Sequence, residues 1–116
     1  MIQLEGISPE MIANNITPFY QTHPGEVIKD ELEARNISQK ELSTKMGMSY
    51  KALNDILNER RPITPETAIL FEAALGISAK TLMGLQTDYN ISKAKQDPTL
   101  ADRLTSIRKM CASWML

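Results

Sequence analysis

The 116-residue sequence predicts an all-α fold, and three observations carry that reading. Apolar residues recur at spacings of three and four along most of the chain, the period of one helix face. Residues that cap and start helices precede several of these stripes, with Pro24, Pro65 and Pro98 in first-turn positions where a missing amide hydrogen costs nothing. Stop residues follow, among them Gly47 and Gly76, which enter the left-handed conformation that ends a helix. At 42% hydrophobic and 23% charged, the composition suits a globular chain with a modest core of about five helices.

Residues 1–22 carry Pro9, Pro18 and the pair Asn14 and Asn15 among scattered apolar groups. Ser8-Pro9 can open a short helix over MIANNI, or Met1, Ile2 and Leu4 can form an extended segment. The stretch is read as an extension that is either a loose arm or a contact for a partner. The first long helix begins at His23-Pro24-Gly25-Glu26, where Glu26 sits well against the positive helix end. Ile28 and Leu32 face inward, with Val27 beside them, Asn36 closes the helix and Ile37 reaches the core.

From Ser38 to Pro62 the chain reads as two short helices around a tight turn. Ser38 caps the first, with Glu41 three residues on, as in a capping box. Leu42 and Met46 share its inner face, and Gly47 ends it. Ser49 caps the second, whose buried stripe is Leu53, Ile56 and Leu57. Tyr50, Lys51, Asn54, Asp55 and Asn58 fall on the opposite, polar face. Such a face is what any surface helix shows, and also what a helix in a DNA major groove needs. Arg60 and Arg61 follow at once, within reach of phosphates, and Gln39 opens the first helix as a phosphate contact or a brace for the second. These two details favour DNA.

Pro62 excludes helix at Arg61, so a loop follows. Thr64, Pro65 and Thr67 then start a fourth helix, with Ala68, Phe71 and Leu75 inside and Ile69 and Ala73 beside them. Ile77-Ser78 opens a fifth, along which Leu82, Leu85 and Tyr89 form one stripe. Asp97 and Pro98 mark a fresh start. After them Leu100, Leu104, Ile107, Cys111 and Trp114 make a heptad seam over two repeats. That seam packs either on its own domain or on its counterpart in a second subunit. A five-helix core is already complete without it, which favours the dimer.

Charge divides the chain. Residues 1–37 carry −4, residues 38–61 carry +2, residues 62–92 carry −2 and residues 93–116 carry +3, for a net −1. Phosphate on one side and a basic protein on another fit this layout. No apolar run approaches the roughly 20 residues that span a bilayer, and MIQLEGISPEM shows no secretory pattern. The lone Cys111 makes no disulfide framework, so a reducing, cytoplasmic setting is expected. His23 has no second His or nearby Cys to share a metal, so no metal or cofactor is expected. No phosphate loop or catalytic triad is visible either, and an enzyme is not expected.

The two-helix stretch resembles the helix-turn-helix of the lambda-repressor and Cro (XRE) family. The wider runs HPGEVIKDELEARNISQKEL, NERRPITPETAILFEAALGIS and LQTDYNISKAK resemble the HigA antitoxins of bacterial toxin–antitoxin operons, from His23 to Lys95. HPGE, RRPITPETA and LQTDYN are the most specific parts. The chain departs from that pattern at Asn58-Glu59, where Asn-Gly is usual, and at Leu82, where Trp is frequent. Glu59 thus stands where a left-handed residue is wanted, which strains or shifts the basic exit.

The resemblance implies a five-helix lambda-repressor-like DNA-binding domain over residues 23–97, with an N-terminal extension, residues 1–22, and an extra C-terminal helix, residues 98–116. It implies an antitoxin that represses its own operon as a homodimer on a palindromic operator of double-stranded DNA and neutralises a basic, HigB-like messenger-RNA-cleaving toxin. Two alternatives stay open: a stand-alone phage-type repressor, and a helix-turn-helix interaction module without DNA binding, kept by Asp55 and the pI of about 5.8. Helix wheel and resemblance together assign base reading to Ser49, Tyr50, Lys51, Asn54 and Asp55. Lys51 would donate to guanine, Asn54 pair with adenine and Asp55 accept from cytosine. Gln39, Asn58, Arg60 and Arg61 are assigned to phosphates, and Leu100, Leu104, Ile107, Cys111 and Trp114 to the dimer.

Overall fold

The structure, a computed structural model, describes residues 21–115. The expectations for the first 20 residues, a short MIANNI helix or an extended start, lie outside the described residues. Six α-helices follow in order: α1 (Pro24–Arg35), α2 (Gln39–Met46), α3 (Tyr50–Leu57), α4 (Pro65–Leu75), α5 (Ala79–Ala94) and α6 (Pro98–Met110), then a 3-10 turn, Ala112–Met115.

The expected caps form. The hydroxyls of Ser38, Ser49, Thr64 and Ser78 accept from the amides of Glu41, Ala52, Thr67 and Thr81, and Asp97 accepts from Thr99. Each satisfies an orphan amide of a helix start, worth roughly 1 kcal/mol. Gly47 and Gly76 take φ of 71° and 79° at the ends of α2 and α4. Two non-glycine residues also turn left-handed: Asn36 after α1, and Glu59 with φ 64°. Glu59 sits where the resemblance to the HigA pattern implies that conformation. Its amide donates to Ile56 and that of Arg60 to Asp55, so α3 ends in a Schellman motif.

α1 packs on α3 and α5, α2 on α3 and α4, and α4 on α5. Ile28 and Leu32, Leu42, Leu53 with Ile56 and Leu57, Ala68 with Phe71 and Leu75, and Leu82 form one core, joined by Ile63 from the loop. The sequence placed every one of these inward except Ile63. Ile69 and Ala73, expected beside the core, are exposed. The α4 stripe is narrower than the sequence suggests.

Two tight features hold the frame. Gly25, in the first turn of α1, is buried with its backbone against the end of α3: a Cβ there would overlap the Ile56 carbonyl. The neighbouring His23 is 2% exposed, accepts from the Gly25 amide through Nδ1 at 2.9 Å, and meets the Tyr89 ring edge-to-face at 4.7 Å. Gln86, also buried, takes the amide of Ile63 at 2.8 Å and donates to Asn90 at 2.9 Å, tying the loop after α3 to α5.

α6 is different. It contributes no buried residue. Leu100, Leu104 and Cys111 are half-buried, Ile107 is 48% exposed and Trp114 80%. The described residues of the domain cover this helix only in part. The seam is also shorter than expected: the α-helix ends at Met110, so Trp114 lies on the 3-10 turn, off the α-helical spacing.

Candidate nucleic-acid interface

α2 and α3 are joined by Gly47, Met48 and Ser49. The Met48 amide donates back to the Ser43 carbonyl at 3.0 Å, which closes the turn at the end of α2. α3 buries Leu53, Ile56 and Leu57 and turns Tyr50 and Lys51 outward. The Tyr50 ring is exposed, and the Lys51 side chain is 82% exposed. Ser49 is exposed too, its oxygen engaged as the cap of α3.

Asn54 is half-buried and lies between two partners. Its Nδ2 donates to Oε1 of Gln39 at 3.0 Å, and its Oδ1 accepts from Nη2 of Arg60 at 3.0 Å. Gln39 therefore braces α3 from the first turn of α2. Asn58 is exposed, donates through Nδ2 to the Asn54 carbonyl and accepts from Lys29 at 3.4 Å.

Asp55 departs from the open position that the sequence reading gave it. It is 8% exposed, and both its oxygens are occupied. Oδ1 accepts from Nε and Nη2 of Arg60 at 3.2 and 3.0 Å, and Oδ2 accepts from Nζ of Lys51 at 3.2 Å. Nη2 of Arg61 stands 3.8 Å from Oδ2. The hydrogen bonds from Lys51 and then Arg60 hold this carboxyl below the usual range, so it is ionised at neutral pH. Three of the roughly four acceptor positions of this carboxylate are thus used within the protein, which leaves little of it for a cytosine amino group. The wheel placed Asp55 on the outer face, but the basic exit folds back over it. The left-handed turn at Glu59 sends Arg60 back along α3 instead of away from it.

Lys51, Arg60 and Arg61 thus gather around one carboxylate, a cluster with a net charge of +2 beside the exposed end of α3. Excess positive charge at the mouth of a groove-sized helix attracts phosphate. Among the described residues, no group of three or more His, Cys, Asp or Glu side chains could hold a metal ion. No described helix is long and apolar enough to cross a membrane.

This is the architecture of a helix-turn-helix domain: a braced first helix, a glycine-ended turn, and a second helix presenting a polar face flanked by cations. The family model for helix-turn-helix domains matches residues 28–82. Virulence-associated protein I of Dichelobacter nodosus is 33% identical over 76 residues, 65% of this chain and 70% of that protein. Among solved structures, the Pseudomonas aeruginosa antitoxin HigA with its higBA promoter superposes with a TM-score of 0.61 at 35% identity, over 64% of this chain and 82% of that one. An addiction module antidote protein of the HigA family from Coxiella burnetii gives 0.64 at 27% identity, over 78% and 95%. The chain belongs to the XRE-type helix-turn-helix family, among its HigA-type antitoxins.

Proposed function

We propose that the protein binds a palindromic operator as a homodimer, represses its own toxin–antitoxin operon, and neutralises a HigB-like messenger-RNA-cleaving toxin. The observation that carries the DNA part is the polar face of α3, with Lys51 and Tyr50 exposed at its start and Arg60 and Arg61 at its end. The similar HigA of Pseudomonas aeruginosa was solved with its own promoter, which supports the same role here.

Ser49, Tyr50, Lys51 and Asn54 are assigned to base edges, and Gln39, Asn58, Arg60 and Arg61 to the phosphates on either side. A helix this short reads few base pairs. Two copies, about 34–36 Å apart, would reach successive major grooves. The partly exposed seam of α6 supports a dimer contact there, built from Leu100, Leu104, Ile107 and Cys111, with Trp114 at its edge. The acidic first third, residues 1–37, suits a basic toxin.

Selection of bound duplexes from a random pool at near-physiological salt tests the DNA reading. The expected result is a palindrome with half-sites one helical turn apart. Weak, salt-sensitive binding without enrichment would move the function to an interaction module. Deleting residues 1–22 is expected to abolish co-purification with the toxin while sparing the operator. A variant that still captures the toxin takes that segment out of the contact.

A further inference from the structure

Asp55 is a buried acid in the middle of a surface that the preceding reading gives to DNA. A carboxylate there repels phosphate, yet it is the best-connected side chain of the interface. It holds two hydrogen bonds from Arg60 and one from Lys51, with Arg61 close by. The Arg60 main chain is anchored to the same residue, its amide donating to the Asp55 carbonyl at 2.8 Å.

The bonds determine what remains for DNA. A guanidinium has five N–H donors. Arg60 commits Nε and Nη2 to Asp55 and Asn54, so Nη1 is left to face outward. Because Arg60 only donates, the oxygen of the Asn54 amide must face it, and the nitrogen must face Gln39. That arrangement leaves Asn54 one N–H and one lone pair. These are the donor and acceptor that the N7 and amino group of adenine require. Lys51 is pulled along α3 toward the same carboxylate, with its other two N–H donors free to point away.

We propose that Asp55 is the positioning residue of the interface: it touches no base, but it orients Lys51, Arg60 and, through Arg60, the Asn54 amide, and so sets sequence discrimination. This rests on the DNA-binding reading above. Removing the carboxylate charge loosens its hold on Lys51, Arg60 and Arg61. They attract any phosphate backbone at least as well, but no longer present a defined pattern to base edges.

The test compares the full-length protein with its Asp55→Asn variant on the selected operator, on each single-base-pair variant of it, and on a scrambled duplex, over a series of salt concentrations. The expected result is a loss of operator preference on the order of tenfold. Binding to the scrambled duplex is expected to be unchanged or tighter, and the lost discrimination to fall on the base pairs that Lys51→Ala and Asn54→Ala also affect. A new preferred base at one pair, with the rest intact, would overturn the proposal by showing that Asp55 reads that base. Equal losses on operator and scrambled duplex would overturn it as an ordinary structural residue, and so would no change. A second measurement needs no DNA. The Nε–H of Arg60 is expected to exchange slowly with water in the parent and quickly in Asp55→Ala, which removes the acceptor oxygen, and equal rates would refute the contact. If the parent prefers no duplex, the DNA-binding reading fails, and the exchange rates still decide whether Asp55 holds Arg60.

Discussion

α3 and α6 are both amphipathic in sequence, and the structure treats them in opposite ways. α3 presents Leu53, Ile56 and Leu57 at helical spacing, and all three are buried. α6 presents Leu100, Leu104 and Ile107 at the same spacing, and none is. The difference is in what surrounds them. α3 is clasped by α1 and α2. α6 begins after the five-helix core has closed, and its stripe is only half-buried. An apolar stripe states that a partner is needed, not whether the partner lies in the same chain.

The sharpest test of that contrast is Gly25→Ala. Its Cβ would drive α1 away from the end of α3, because the obstacle is a main-chain carbonyl that cannot swing aside. A loss of roughly 3 kcal/mol is expected in urea unfolding. Leu53→Ala comes next, removing a fully buried side chain at a cost of about 2–5 kcal/mol, with the lower half of that range expected in so small a core. Leu104→Ala, on the α6 seam, is expected to move unfolding of the isolated subunit by less than about 1 kcal/mol while shifting the proposed dimer toward monomer in light scattering. Equal unfolding losses for Leu53→Ala and Leu104→Ala would erase the contrast.

A pH series separates α1 from α6 in another way. Burial pushes the His23 imidazole below its ordinary range, against the pull of Glu59 and Glu26, and Lys93 adds to the lowering. In the fold Nδ1 must stay unprotonated to accept from Gly25. The unfolded chain takes up a proton near pH 6.5, as histidines ordinarily do, before the folded chain does. Stability is therefore expected to fall as pH drops below that value and to level off below the lowered one. His23→Asn keeps a capping acceptor and removes the titration, so its Tm is expected to change less between pH 7 and pH 5.

The smallest effect is expected at Glu59. Left-handed backbone at a residue with a Cβ costs roughly 1–2 kcal/mol, and glycine relieves most of it. Glu59→Gly is expected to stabilise by about 0.5–1 kcal/mol in denaturant titration. It also removes a negative charge near His23, which lowers that imidazole further.

Much of this domain was legible in the sequence because its signals are local. A capping hydroxyl and the amide it accepts lie three residues apart at Ser38, Ser49 and Thr64, so the chain carries both partners within one turn. The stripes of α3 and α4 follow from the same short range. Gly25 and Gln86 were not legible. One is required by a carbonyl 31 residues away in α3, the other by an amide 23 residues away in the loop. Their sequence neighbours show no trace of either.

The interface divides along the same line. The helical period alone places Tyr50, Lys51 and Asn54 on the outer face of α3. Whether an outer residue meets solvent or another side chain depends on where the chain goes after the helix, and for Asp55 the returning Arg60 decided it. Short-range chemistry is written between residues a turn apart. Burial, orientation and the choice of partner arise only when distant segments compete for the same space.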